Sequence, residues 1–555
     1  MGQDLDKAWL RIVLDEKLPA EGYRLHITAQ SVRIEASSSP GAVYAFRVLQ
    51  QLNANRKNEL PCGFIEDWPD FPIRGFMLDV SRSKVPDTYG SWNNLFDALA
   101  KLNYNQLQLY TEHTFAFKGH SVVWGDASPY TRLEMGKIRY YQEAFGIEVV
   151  ANFNSFGHFE RWLKHPEYKH LAECPDGFVH PLKGQMTHGT TLRPNAASLK
   201  FLDKLWAEYL PLFQSKRFNL GGDEPWELGL GWSKPLVKKF GQHRVYLDFL
   251  KKLHQQAAKH GKEILFWGDI LLESPELVKE VPADATALLW GYEANHPFAE
   301  QCAKLAAAKR KFWVCPGTSA WNTFTGRTDN MLANLESAAK HGLANGAEGF
   351  LLTSWGDGGN HQPWPIMDLG LTYAAGLAWN QKGTRRTDLP RAVDAIFNEG
   401  RTSNLGQILL ELGRAENAVK HPKPNRSRHY DLFFATRAGL KKELKTLTDA
   451  ELKKILKALL KVQTELSQKV QGKIPEEKRA AQILAFVFSE LRLGADMAAW
   501  AIKRARLAKA GKSTRLLAGE LKTLIGRFEE IWVRRARVGG LHEATARMRA
   551  VEQDL

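Results

Sequence analysis

Between residues 71 and 385, eight short apolar runs alternate with amphipathic helical stretches, with no Gly-rich phosphate loop after the first run. Eight strand-plus-helix units in about 310 residues predict an α/β chain built on a (β/α)8 TIM barrel. The alternating segments of residues 1–70 predict a small α+β domain before it. Helical periodicity over 386–555 predicts an all-α C-terminal domain after it. A doubly wound open sheet is the competing solution, and the missing Gly-rich loop counts against it. The 555 residues, 44% hydrophobic and with 17 tryptophans, support a sizeable core and exclude a disordered chain, a peptide hormone or a disulfide miniprotein.

In the first unit, AWLRIVLDE, YRLHITAQ and SVRIEA read as strands and PGAVYAFRVLQQLNA as a helix, ending at the turn-rich DWPDFP. The barrel strands are RGFMLDV, NQLQLYT, IEVVANF, RFNLGGD, EILFWGD, ATALLWG, KFWVCPG and GFLLTSW. Helices such as SWNNLFDALAKL, VYLDFLKKLHQQAAKHG and NMLANLESAAKHG lie between them. The helical tail is broken at HPKPNRS and KIPEEK.

The formal charge of +15 invites a nucleic-acid reading. All of the excess lies in residues 401–555, which hold 32 Lys+Arg against 17 Asp+Glu. There the cations interleave with apolar residues at helical spacing, as on solvated faces of amphipathic helices, so no nucleic-acid partner is expected. Salt-sensitive retention on heparin would favour the opposite reading. Cys62, Cys174, Cys302 and Cys315 form no CxxC pair and read as free thiols. No run is long and apolar enough to span a membrane, and MGQDLDKAWL lacks a basic region followed by an apolar one. A soluble chain is expected, with export as a mature periplasmic or secreted form left open.

In such a barrel the chemistry belongs at the C-terminal ends of the strands. These ends carry Asp79, Ser81 and Arg82; Asn152, Asn154 and His158; Gly221-Gly222-Asp223-Glu224; Trp267 and Asp269; Trp290, Tyr292 and Glu293; and Trp355 and Asp357. Indole faces stack on the C–H faces of a sugar ring, and carboxylates accept its hydroxyl protons. A carboxylic acid among tryptophans is desolvated and its pKa rises toward that of a general acid at neutral pH. Glycoside hydrolysis fits; the plain alternative is that these tryptophans plug the barrel rim.

NLGGDEPWELG resembles the Gly-Gly-Asp-Glu signature of the β-N-acetylhexosaminidases of glycoside hydrolase family 20, which also follows the fourth barrel strand. FPIRGFMLDVSR, NSFGHFE and LLTSWGDGG are similar to that family's first-, third- and eighth-strand motifs. The resemblance covers about residues 10–385. It implies an exo-acting, retaining enzyme in which the sugar's 2-acetamido group attacks C1, without cofactor or metal. Glu224 is then the general acid and base, and Asp223 the acceptor of the acetamide N–H. Arg74 is expected to hold the 3- and 4-hydroxyls, and Trp267, Trp290 and Trp355 to enclose the acetamide methyl. His158 supports Asp223 or the substrate, and Asp357 is a further substrate contact. The seventh-strand segment WVCPGTSAWNTF departs from the family's Tyr and acidic pair. Trp321 and Asn322 are its nearest candidates, with Tyr292 as the replacement donor to the acetamide oxygen. The partner implied is an N-acetylhexosamine-terminated glycan, with GlcNAc, GalNAc and sulfated or otherwise modified sugars all open.

Four rival readings stay open: a related β-N-acetylgalactosaminidase with the same Asp-Glu pair, a non-catalytic sugar-binding barrel, a polyanion-binding tail, and a metal hydrolase using His158. The segment EEIWVRRARVGGLHEATARM, with Trp532, has two readings: a tail that packs on the barrel and helps form a homodimer, or a helical support of the outer ring.

Overall fold

The computed structural model describes residues 9–54, 59–82, 84–88, 90–181, 184–397, 403–471 and 479–555. The KIPEEK break lies outside these residues. A four-stranded sheet comes first, formed by β1 (Leu10–Leu14), β2 (Tyr23–Ile27), β3 (Val32–Ala36) and β4 (Gly63–Asp67) in the order β1-β3-β2-β4. The helix Ser39–Ala54 packs on one face. Strand β4 is not anticipated by the sequence reading. It is an edge strand, mostly exposed and antiparallel to β2, so it carries little alternation.

Eight parallel strands then close the predicted barrel: β5 (Ile73–Asp79), β6 (Gln106–Tyr110), β7 (Glu148–Asn152), β10 (Arg217–Asn219), β11 (Glu263–Trp267), β12 (Thr286–Trp290), β13 (Lys311–Cys315) and β14 (Gly349–Ser354). A small hairpin, β8 (Phe178–Val179) with β9 (Met186–Thr187), sits in the loop after β7. Within the barrel Gln108 accepts from Asn152 (3.1 Å) and Asn219 (3.0 Å) and donates to Gln106 (3.0 Å), so these buried amides form one linked network. Above them, towards the C-terminal ends, the interior is aromatic, with Tyr110, Trp267, Tyr292, Trp321 and Trp355 in one cluster.

Arg74 is not at that end. It is the second residue of β5, five positions and about 17 Å of strand before Asp79. Its side chain is 1% exposed, donates to Asn103 O (2.9 Å), Phe71 O (2.9 Å) and Tyr44 Oη (2.8 Å), and forms an ion pair with Glu21 Oε2 (2.8 Å). The expectation that it holds sugar hydroxyls is therefore corrected: Arg74 bolts the N-terminal sheet to the barrel floor. Arg74→Ala is expected to lower stability by about 3 kcal/mol, because it strips a buried ion pair, while KM stays unchanged. Denaturant unfolding beside steady-state kinetics checks this, and a raised KM at unchanged stability would contradict it.

From Leu389 onward the described chain is helical. In the helix Asp449–Gln471 the buried side Leu452, Ile455, Leu459, Val462 and Leu466 opposes exposed Lys453, Lys454 and Lys457, the amphipathic arrangement expected of the basic tail. The tail's core continues into the barrel through Phe324, which follows β13 and packs against Phe433 and His429. Trp532 is 1% exposed inside the chain, with Lys84 over its ring, and Arg537 N donates to Val85 O (2.8 Å). That segment supports the barrel. Cys62, Cys174, Cys302 and Cys315 are unpaired, and no described helix is long and apolar enough to cross a membrane.

Candidate active site

Strand β10 stops at Asn219, and the chain turns left-handed at Gly221 (φ 74°), Gly222 (φ 91°) and Glu224 (φ 47°). A Cβ on Gly221 would lie 1.7 Å from Asn154 Oδ1, so only glycine fits there. The break removes the strand rule that sends neighbouring side chains to opposite faces, and both carboxylates reach the same imidazole nitrogen, His158 Nε2. Positive φ at Glu224 and again at His158 (φ 58°) stores backbone strain at this one place.

His158 Nε2 lies 3.1 Å from Asp223 Oδ2 and 3.7 Å from Glu224 Oε2, while Nδ1 is 3.8 Å from Glu112 Oε1. Burial opposes its charge, but Asp223's charge and hydrogen bond, with Glu112's charge, push the imidazole up to about 10. His158 is thus a cation at neutral pH and holds Asp223 Oδ2, leaving Asp223 Oδ1 buried with no hydrogen-bond partner among the described residues. Glu224 has its side chain 30% exposed. Burial and Asp223's charge raise its pKa, with His158 opposing. A raised folded pKa gives His158 a stabilising role that is complete below its ordinary pKa of 6.5 and is lost as pH climbs toward 10. Wild-type Tm is therefore expected to fall more across that window than that of His158→Gln, as calorimetry would read. Parallel curves would contradict it.

Opposite the acid pair, Arg82 Nη1 reaches Asp79 Oδ2 (3.2 Å) and Glu112 Oε1 (3.1 Å), and its Nε lies 3.7 Å from Asp357 Oδ1. Its guanidinium stands over the rings of Tyr110 (5.0 Å) and Trp355 (5.5 Å). Arg82, not Arg74, is the first-strand arginine at the strand ends. Glu112 is the residue that the sequence reading missed. It is 4% exposed, accepts from Tyr110 Oη (2.8 Å), and is pushed up to about 7 by burial, with Arg82 opposing.

Trp267, Trp290 and Trp355 cluster as one aromatic wall at the strand ends. Trp267 and Trp355 are 6.0 Å apart between centroids, and Trp290 stacks on Tyr292 at 5.4 Å. Trp355 Nε1 donates to Tyr292 Oη (2.8 Å), which ties the phenol to the indole wall. Trp321 packs edge-on to Tyr292 at 4.9 Å. Asn322 (φ 51°) is engaged elsewhere: its Nδ2 donates to Asn425 O (3.3 Å) and its carbonyl accepts from Ser427 N (3.1 Å). The HPKPNRS break is therefore a strut from the helical tail onto the seventh strand's loop. Tyr430 Oη adds a bond to Gly358 O (2.8 Å) beside Asp357. Asp269, after β11, is pushed up to about 8 by burial and by Asp223's charge.

The closed parallel barrel thus gathers at its strand ends a carboxylate pair on a broken strand, an indole wall and an Arg-carboxylate cluster. The profile for the glycosyl hydrolase family 20 catalytic domain matches residues 71–341, and that for the family's domain 2 matches residues 4–68. The chain belongs to glycosyl hydrolase family 20.

Among its relatives, a beta-hexosaminidase of Akkermansia muciniphila is 28% identical over 293 residues, covering 46% of this chain and 58% of that one. Beta-hexosaminidase subunit A1 of Dictyostelium discoideum is 27% identical over 217 residues, 37% of this chain and 39% of that one. The chain thus spans about half the length of the curated relatives it matches. The Flavobacterium johnsoniae chitobiase structure superposes with a TM-score of 0.58 at 19% identity, over 99% of this chain and 89% of that one. A mutant Streptomyces plicatus beta-hexosaminidase in complex with its product GlcNAc gives 0.54 at 19% identity, over 72% of this chain and 85% of that one. At these identities both show a common fold.

Proposed function

We propose that the protein is an exo-acting, retaining β-N-acetylhexosaminidase that releases terminal β-linked GlcNAc or GalNAc from glycans by substrate-assisted catalysis. The observation that carries this reading is the Asp223-Glu224 pair, turned to one side by the left-handed break and set against the indole wall. Glu224, protonated, gives its proton to the glycosidic oxygen as the C1–O bond breaks. The acetamide oxygen attacks C1 and forms a cyclic oxazolinium. Asp223 Oδ1 accepts the acetamide N–H and balances the positive charge, while His158 holds Oδ2. Water then adds to C1, Glu224 takes its proton, and the ring opens with the β configuration retained.

Trp267, Trp290 and Trp355 enclose the acetamide methyl, and Tyr292 Oη donates to the acetamide oxygen. Arg82 and Asp357 bind hydroxyls at the far end of the sugar. The names of the relatives, beta-hexosaminidases and a lacto-N-biosidase, support acetamido sugars as the substrate class.

The test is release of nitrophenol from the β-N-acetylglucosaminide, the β-N-acetylgalactosaminide and the β-glucoside. Turnover of one or both acetamido sugars with none of the glucoside is expected. Equal turnover of the glucoside would sink acetamide assistance, since it has no group to attack C1.

A further inference from the structure

We propose that β1 is a docking edge for a second copy of this chain, the two β1 strands pairing antiparallel about a two-fold axis at Ile12 and joining two N-terminal sheets into one. The register of the sheet shows which groups that edge offers. Leu10, Ile12 and Leu14 stand level with Val32, Ile34 and Ala36 of β3, while Val32 N donates to Trp9 O (2.7 Å) and Asp15 N to Ala36 O (2.9 Å). In a parallel ladder of that phase the peptide groups of Trp9, Arg11, Val13 and Asp15 turn toward β3. Those of Leu10, Ile12 and Leu14 turn outward, to the free edge of the sheet.

The same three side chains belong to the inner face, since level residues of neighbouring strands point the same way. Val32, Ile34 and Ala36 are buried there beneath the helix Ser39–Ala54, which lies over β2 and β3. That cover gives out at β1, where Ile12 is 58% and Leu14 63% exposed. Ile12 shares a cleft of about 1220 Å³ with Val43 and Phe46, which are half-exposed on the flank of that helix. The core of this small domain therefore runs out to solvent along one strand. Edges that stay in water are blunted by lysine, proline or a bulge. β1, LRIVL, has none of these, whereas the opposite edge, β4, ends in Glu66-Asp67.

A second copy fits because the strand is its own complement. With the axis at Ile12, that residue faces the partner's Ile12, and Leu10 faces the partner's Leu14. Every outward N–H and C=O of the three residues then meets a counterpart, and the two apolar strips become one. On the outer face Arg11 lies diagonal to the partner's Asp15, within reach of a long side chain, and symmetry repeats the contact. Opposite charges thus flank the apolar strip on both sides of the axis.

The test uses the full chain in light scattering and in oxidative cross-linking. At about 20 µM wild type is expected to be a dimer, and Ile12→Lys to weaken the association at least 10-fold, with Tm unchanged because the position is exposed. Phe64→Lys, on the opposite edge, should leave the dimer intact. In a Cys62→Ser background, which removes the exposed thiol, Ile12→Cys should form an intermolecular disulfide, since Cα atoms across such a pair lie about 5.5 Å apart. Leu14→Cys should not, because its counterpart is Leu10. A wild-type monomer at that concentration, a dimer that Ile12→Lys leaves intact, or cross-linking through Leu14→Cys as readily as through Ile12→Cys would overturn the proposal. If Ile12→Lys loses Tm as well as the dimer, the two cysteine variants decide the matter: a disulfide through Ile12→Cys alone upholds the pairing, and none through either refutes it.

Discussion

Glu224→Gln is expected to lower kcat/KM on an alkyl β-N-acetylhexosaminide by about 10³-fold, within the range that positioned acid–base groups supply. The amide keeps the shape of the side chain and its left-handed backbone position, so folding should be intact and Tm close to wild type. It cannot give a proton to the departing oxygen. The loss should therefore shrink on the nitrophenyl glycoside, whose leaving group departs as a stabilised anion and needs less protonation. A loss of the same size on both would show that the carboxyl acts on something other than the departing oxygen. Retention of more than a tenth of activity on the alkyl glycoside would remove Glu224 from the chemistry altogether.

Asp223→Asn should cost about 10²- to 10³-fold in kcat, the usual loss when a charge-stabilising group facing the transition state is removed. The amide can still accept the acetamide N–H but carries no charge to balance the oxazolinium. Affinity for a sugar-fused thiazoline, which resembles that intermediate, should drop far more than affinity for the free sugar. The same substitution removes the strongest support for protonated His158. Its imidazole resonance, titrating near 10 in the wild type, should move toward its ordinary value of 6.5. Unchanged thiazoline affinity would break the link between Asp223 and the acetamide, and an unmoved His158 titration would show that Glu112 alone sustains the cation.

Barrel, acid pair and indole wall were legible because each leaves a local trace: period-two apolar runs, a Gly-Gly break, and tryptophans at run ends. Arg74 and Arg82 show the limit. Both flank the same apolar run, and the family likeness attracted the role to Arg74. Yet a residue opening a barrel strand faces the floor, and the rule placing chemistry at strand C-termini already favours Arg82. Glu112 escaped because QLQLYTEH ends without a tryptophan or a turn signal, although it is a carboxylate directly after a strand. The bond from Asn322 to Asn425 could not be read at all. It joins residues 103 positions apart, and a break between two helices has no periodicity to say where it lands.

Because that strut and Tyr430 reach the rim beside Asp357, ligand occupancy and tail docking share one free-energy balance. A sugar that binds only the assembled rim draws the equilibrium toward the docked tail, by an amount set by its concentration over its Kd. Saturating product should then slow amide exchange in the segment around Asn425 and Tyr430, although those residues belong to the helical tail. A competitive inhibitor becomes, in the same sense, a reporter of whether the two halves of this chain are joined.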